Sequence, residues 1–115
     1  MKRALIAILL LTATDASAQE EWIRLRHGEL NNAIVAERLR LEDGAEQSFG
    51  EDGFTRHAAD VSRRGYWKID GDKLCTAWPP AGDWTCYRLY LSGDRKRLRF
   101  KADDGSTMVG TYLAR

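Results

Sequence analysis

The two cysteines, Cys75 and Cys86, are the residues of this chain best suited by type to redox chemistry. They lie in the segment "KLCTAWPPAGDWTC", residues 73 to 86, together with two of the four tryptophans and both prolines. Catalytic dithiols usually form a Cys-x-x-Cys motif at the start of a helix, and this segment has neither that spacing nor a helical pattern. The spacing therefore predicts a structural disulfide.

Few residues of this chain are suited to metal binding or to nucleophilic catalysis. His27 and His57 are the only histidines, and a zinc site needs three or four ligands of suitable type. Once the cysteines are bonded to each other, two distant histidines and scattered carboxylates remain, so we predict no metal site. No glycine pattern of a nucleophile elbow surrounds Ser48 or Ser62, the serines near His57. We predict no catalytic residues.

The paired carboxylates that could serve acid–base catalysis all lie in predicted turns. They are Asp70 with Asp72, Asp103 with Asp104, and those of the region 42–51, and aspartate in a turn commonly serves backbone geometry. Neither a Walker loop nor a Gly-x-Gly-x-x-Gly motif occurs. The sequence thus predicts a protein that is not an enzyme and that carries no cofactor.

The N-terminus has the three parts of a secretory signal peptide. Lys2 and Arg3 precede an apolar run from Ala4 to Leu11, and the segment ends in Ala-Ser-Ala at residues 16–18. We predict a signal peptide at residues 1–18, a single β domain at residues 19–115, and a periplasmic or secreted protein. No later stretch is long and apolar enough for an integral membrane segment.

The charge balance bears on the class of partner. Removal of Lys2, Arg3 and Asp15 with the signal peptide lowers the counts from 18 basic and 17 acidic side chains to 16 of each. Nucleic acids and anionic membranes are bound mainly through a surplus of Lys and Arg. We therefore expect no nucleic-acid partner.

The spacing of turn motifs predicts an antiparallel β protein. Between the turns, Leu98, Phe100 and Ala102 alternate with basic residues, as in a half-buried strand. Turns about every ten residues, with such runs between them, are typical of a meander that closes into a small barrel or a sandwich. The paired acidic and glycine residues that mark the turns are Asp43-Gly44, Asp52-Gly53, Gly71-Asp72, Gly93-Asp94 and Asp104-Gly105.

Residues 29 to 41 fit neither periodicity well. Leu30, Ile34 and Leu41 lie near helical spacing, and the strand-like alternation from Ile34 to Leu41 is interrupted at residues 36–38. We predict a short helical turn from Glu29 to Asn32, followed by the first strand.

The cysteine segment predicts a hairpin with a defined register. If residues 74–78 and 84–91 lie in two strands and Trp78 pairs with Asp83 across the four-residue loop 79–82, Cys75 faces Cys86 directly. Opposed residues of a non-hydrogen-bonded pair are close enough for a disulfide, which would stabilise the fold by about 3 kcal/mol on the chain-entropy estimate. The same register pairs Leu74 with Tyr87 and Ala77 with Trp84.

Aromatic side chains supply the candidate binding residues. Trp78 and Trp84 flank the hairpin loop, where they would anchor a ligand or a partner protein; alternatively, they pack on the disulfide and on neighbouring tyrosines. We predict that the mouth of the barrel is lined by Trp67, Trp78, Trp84 and Tyr90.

The stretch from Asp52 to Leu89 combines an Asp-Gly turn, a Gly-aromatic-Trp strand, a Gly-Asp turn, a Leu-Cys pair and a second cysteine. This pattern resembles that of small exported proteins of proteobacteria, and "RHGELNNAIV" upstream is similar to the segment that opens their domains. The resemblance implies a small lipocalin-like β-barrel or half-barrel and no activity.

Two functions follow as expectations. The first is an exported binding protein that holds a small apolar ligand or a component of the cell envelope in the barrel mouth, which requires an apolar cavity. The alternative is a protein-interaction or inhibitor module that inserts the loop from Trp78 to Trp84 into an envelope protein. That alternative requires a filled core and exposed tryptophans.

Overall fold

The structure, a computed structural model, describes residues 21–114. The predicted signal peptide, residues 1–18, lies outside the described residues. No helix within residues 21–114 has the length and apolar character needed to cross a membrane. The described chain forms β1 (Trp22–Arg24), α1 (His27–Ile34), β2 (Arg38–Leu41), β3 (Glu46–Phe49), β4 (Phe54–Ala58), β5 (Ser62–Asp70), β6 (Lys73–Ala77), β7 (Trp84–Ser92), β8 (Arg97–Ala102) and β9 (Thr107–Tyr112).

Strands β2 to β9 form a closed antiparallel barrel. Each strand pairs with the next along the chain, and β9 returns to pair with β2, which closes the eight-stranded cylinder. The short strand β1 pairs with residues 90–92 of β7. It lies on the side of β7 where β6 pairs only with residues 84–87. The predicted all-β, lipocalin-like barrel is confirmed, and it is closed rather than a half-barrel.

The predicted turns join these strands. The glycines of four of them adopt positive φ, from 60° at Gly71 to 89° at Gly44, a conformation in which a side chain would be strained. Aspartate side chains also stabilise these turns. Asp52 and Asp104, for example, accept hydrogen bonds from the backbone N–H two residues further on. The Asp-Gly pattern predicts these turns because glycine accepts positive φ and aspartate accepts hydrogen bonds from the turn backbone.

The core lies inside the barrel and follows the period-two alternation of the strands. Leu98 and Phe100 face inward as predicted, with 0% and 2% of their surfaces exposed. Residues of the other strands that are fully or almost fully buried with them are Leu39, Phe49, Leu74 and Leu89.

Helix α1 closes one end of the barrel. It extends from His27 to Ile34, beyond the predicted helical turn at Glu29 to Asn32, and β1 precedes it. Leu30 and Ile34, one turn apart, are completely buried against the strand ends. The helix is longer than its local pattern suggests because tertiary packing, more than intrinsic propensity, stabilises short helices.

The turn between β5 and β6 holds the start of α1. Asp72 Oδ1 accepts a hydrogen bond of 2.8 Å from the backbone N–H of His27, and His27 Nδ1 donates to Gly71 O at 2.7 Å. The backbone hydrogen bond from His27 is the main reason why the pKa of Asp72 lies below its usual value. This contact satisfies one of the free N–H groups at the helix start.

The disulfide between Cys75 and Cys86 is present in the predicted register. Their Cα atoms are 4.0 Å apart, as expected for a non-hydrogen-bonded pair. The flanking pairs, Leu74 with Tyr87 and Ala77 with Trp84, also match the prediction. Because Leu74 faces inward, alternation places the disulfide on the outer side of the barrel wall.

Candidate ligand-binding cavity

A cavity of about 240 Å³ opens at the end of the barrel opposite α1. This open end carries the turns β2–β3, β4–β5, β6–β7 and β8–β9. The walls are inward-facing side chains of seven strands, β3 to β9. Those that are apolar or aromatic are Phe49, Leu74, Tyr87, Phe100 and Met108.

Two polar side chains of the cavity wall are almost completely buried. Gln47 is 5% exposed and Thr76 is 4% exposed. Gln47 Nε2 donates a hydrogen bond of 3.1 Å to Thr55 Oγ1, and Thr55 donates in turn to Ser48 O at 2.9 Å. Within residues 21–114, the side-chain oxygen of Gln47 and the hydroxyl of Thr76 have no hydrogen-bond partner. These two oxygens are free to bind a ligand that enters the cavity.

The mouth of the cavity is formed by Trp78, with His57 and Arg63 around it. The rings of Trp78 and His57 meet edge to face at 6.2 Å between centroids. The Arg63 guanidinium carbon lies 5.5 Å from the centroid of the Trp78 ring, within the range of a cation–π contact.

Gly65 determines where the Trp78 ring lies. Strand alternation points Gly65 inward, and a Cβ built there would come within 2.6 Å of Trp78 Cε3. No side chain fits between this backbone and the ring. The indole therefore packs directly on β5, which keeps it at the mouth.

Chemically, these residues are suited to holding a molecule. The apolar wall provides contact area, and the few polar atoms provide orientation. Among residues 21–114, no three His, Cys, Asp or Glu side chains are grouped so as to hold a metal ion.

Of the four predicted binding residues, Trp78 lines this cavity. Trp67 faces inward but packs closer to α1, with its ring perpendicular to that of Phe49 at 6.0 Å. Its Nε1 donates a hydrogen bond of 2.8 Å to Gly50 O in the β3–β4 turn. Trp67 therefore belongs to the core below the cavity.

Trp84 and Tyr90 lie on the outer face of β7. They alternate with Tyr87, Leu89 and Leu91, which face inward. Trp84 is 42% exposed, and its ring lies 4.3 Å from Lys68 Nζ. The structure thus does not bring the four aromatic side chains to one mouth, because the strand parity of β7 directs two of them outward.

Sequence reasoning missed the polar residues of the site, His57, Arg63, Gln47 and Thr76. The alternation that identifies Trp67 as inward-facing continues back along β5 to Gly65 and Arg63, and this signal was present in the sequence. His57 faces Arg63 across β4 and β5. That pairing depends on the register of the β4–β5 turn, which no sequence motif identifies.

Comparison of the chain with family models, with curated proteins and with solved structures finds no match.

Proposed function

We propose that this protein is an exported binding protein that holds a small, mostly apolar ligand in the cavity at the open end of the barrel, without catalysis. The observation that carries this proposal is a preformed cavity with apolar walls and two unpartnered polar oxygens. Ligand sites in proteins have this composition, in which apolar surface supplies affinity and a few polar atoms supply orientation.

The cavity volume supports a small ligand. Its 240 Å³ exceeds the roughly 150 Å³ of an apolar cavity that binds benzene, and falls below the range of about 300–1,000 Å³ typical of drug-sized ligands. A molecule with a single ring or a short alkyl chain fits this range.

Export is supported by two independent features. The disulfide between Cys75 and Cys86 is typical of proteins that fold in an oxidising compartment, and residues 1–18 have the composition of a signal peptide. Together they support a periplasmic or secreted location.

The alternative function, a module that inserts the loop from Trp78 to Trp84 into a partner, receives less support. That function needs both tryptophans on the exposed surface of the loop. Trp84 is exposed, but Trp78 packs on Gly65 and faces the cavity. The two rings therefore point to opposite sides of the barrel wall.

The experiment is isothermal titration of 1-octanol into the purified, oxidised protein and two matched variants. We expect saturable binding at one site. Trp78→Ala should weaken it at least about tenfold, because the mouth loses its largest contact surface. Trp84→Ala removes the same side chain from the outer face and should leave the affinity within about twofold.

Two results would contradict the proposal. One is the absence of saturable octanol binding to the parent protein. The other is an equal loss of affinity in the Trp78→Ala and Trp84→Ala variants, which would point to the loop surface instead of the cavity.

A further inference from the structure

We infer that the ligand carries an anionic head group, which Arg63 binds at the mouth while the apolar part occupies the cavity. This inference rests on the proposed function and adds the chemical class of the ligand: a short amphiphile with a carboxylate or another anion that accepts two hydrogen bonds side by side.

The position of Arg63 is the first observation. It lies on β5 opposite His57, on the side of the strand that also carries Gly65 and Trp67, and it lines the cavity. The inward residues deeper in the barrel are apolar, such as Leu74 and Phe100. Arg63 therefore adds a positive charge at the mouth of a cavity whose walls are mostly apolar, with Gln47 and Thr76 as its buried polar residues.

The second observation concerns the partners of the guanidinium. Three arginines, Arg26, Arg38 and Arg40, form ion pairs with carboxylates, and Arg63 is among the arginines of the described chain that do not. Within residues 21–114, Arg63 forms no ion pair and no hydrogen bond, and its contact is the Trp78 ring. Its N–H donors are thus available to a ligand, since a guanidinium carries five of them.

The third observation is that the neighbouring ring positions these donors. Trp78 is held on Gly65, and the guanidinium lies 5.5 Å from its ring centroid. This cation–π contact limits the positions that the guanidinium samples, and a planar guanidinium recognises carboxylates and phosphates through two parallel hydrogen bonds. An anion at this point would lie at the mouth, in contact with water, which avoids the large cost of burying a charge.

Arg64 supplies the matched control. It follows Arg63 directly in the chain, but alternation places it on the outer face, where its guanidinium carbon lies 3.9 Å from the centroid of the Phe54 ring. The two arginines have the same charge and each contacts an aromatic ring, Arg64 more closely than Arg63. Only Arg63 faces the cavity.

The test compares octanoate with 1-octanol by isothermal titration in the parent protein and in Arg63→Gln and Arg64→Gln. The parent should bind octanoate at least about tenfold more tightly than octanol, as expected for a charge-assisted pair of hydrogen bonds. Arg63→Gln should abolish this preference, so that octanoate and 1-octanol bind this variant with affinities within about twofold of each other. Arg64→Gln should retain the preference.

A third variant, Arg63→Lys, keeps the positive charge without the planar fork and should retain only part of the preference. Circular dichroism and the thermal midpoint of each variant establish that the barrel is intact. The inference is overturned if the parent does not prefer octanoate, if the preference survives in Arg63→Gln, or if Arg64→Gln loses it. In each of these cases octanol binding still supports the proposed function, whereas failure of both ligands to bind removes the proposed function and this inference together.

Discussion

The two ends of the barrel are built from the same eight strands but are filled differently. At the closed end, α1 inserts Leu30 and Ile34, both fully buried, and Tyr112 Oη donates a hydrogen bond of 2.7 Å to Ala33 O of the helix. At the open end the strands are joined by loops of three to six residues, and a cavity of about 240 Å³ remains. The helix supplies the apolar side chains that fill the closed end and stabilise the fold, whereas in the proposed function the open end receives the ligand.

Along β5 and β3, the inward-facing side chains become smaller or more polar from the closed end to the open end. On β5, Trp67 near the closed end gives way to Gly65 and Arg63 near the open end, and on β3 Phe49 gives way to Gln47. Smaller or polar side chains thus replace large apolar ones as the strands approach the mouth. The difference between the ends is encoded in the strands as well as in the helix.

The largest expected effect concerns the closed end. Leu30→Ala should lower the free energy of unfolding by about 2–5 kcal/mol, because it opens a cavity in a fully buried contact; urea unfolding followed by circular dichroism measures it. Asn32→Ala, on the exposed side of the same helix, should stay within about 0.5 kcal/mol of the parent. Equal stability of Leu30→Ala and the parent would mean that the helix does not close the barrel.

The disulfide variant separates stability from binding. Replacement of Cys75 and Cys86 together by serine should lower the free energy of unfolding by about 3 kcal/mol, since the unfolded chain regains freedom. The octanol affinity should change less than twofold, because the disulfide lies on the outer side of the wall and the cavity is lined by Leu74 and Thr76 instead. Loss of binding in a folded variant would show that the two regions are not independent.

The smallest effect concerns Tyr112 at the closed end. Burial raises the pKa of this phenol to about 12. An unfolded tyrosine ionises near pH 10, so the unfolded state releases the proton first, and stability falls as the pH rises from about 10 to about 12. Below about pH 10 this group contributes no pH dependence.

Tyr112→Phe should therefore cost about 1 kcal/mol at neutral pH through loss of the hydrogen bond to Ala33 O, and it should lose less stability than the parent between about pH 9 and about pH 11. Urea midpoints of both proteins at the two pH values measure this. An equal decrease in both proteins would contradict the assignment of a buried phenol.

The elements that the sequence predicts well are those with a local physical cause. The register of β6 and β7 follows from a short loop and two cysteines that must face each other, and Cys75 and Cys86 do so. The turns follow from glycines that adopt positive φ, such as Gly53 and Gly105. Helix α1 is underestimated because its length depends on burial of Leu30 and Ile34 at the barrel end, a contact that only the closed barrel creates.

The site is predicted less well because residue type does not define orientation. Trp84 and Tyr90 are suitable anchors by chemistry, but strand parity directs them outward. Arg63 and His57 gain their significance from the pairing of β4 with β5, a contact between strands. Extending the alternation along each strand, instead of selecting aromatic residues, identifies Arg63 as inward-facing from sequence alone.

The central claim, that the ligand occupies the open end, is tested most directly by the indole N–H signals of the four tryptophans in ¹H–¹⁵N NMR spectra during titration with octanoate. These side chains sample the mouth (Trp78), the core (Trp67) and the outer face (Trp22 and Trp84). We predict a saturable shift of the Trp78 signal that is much larger than the other three. A dominant shift of the Trp84 signal, or no saturable shift of Trp78, would contradict the account.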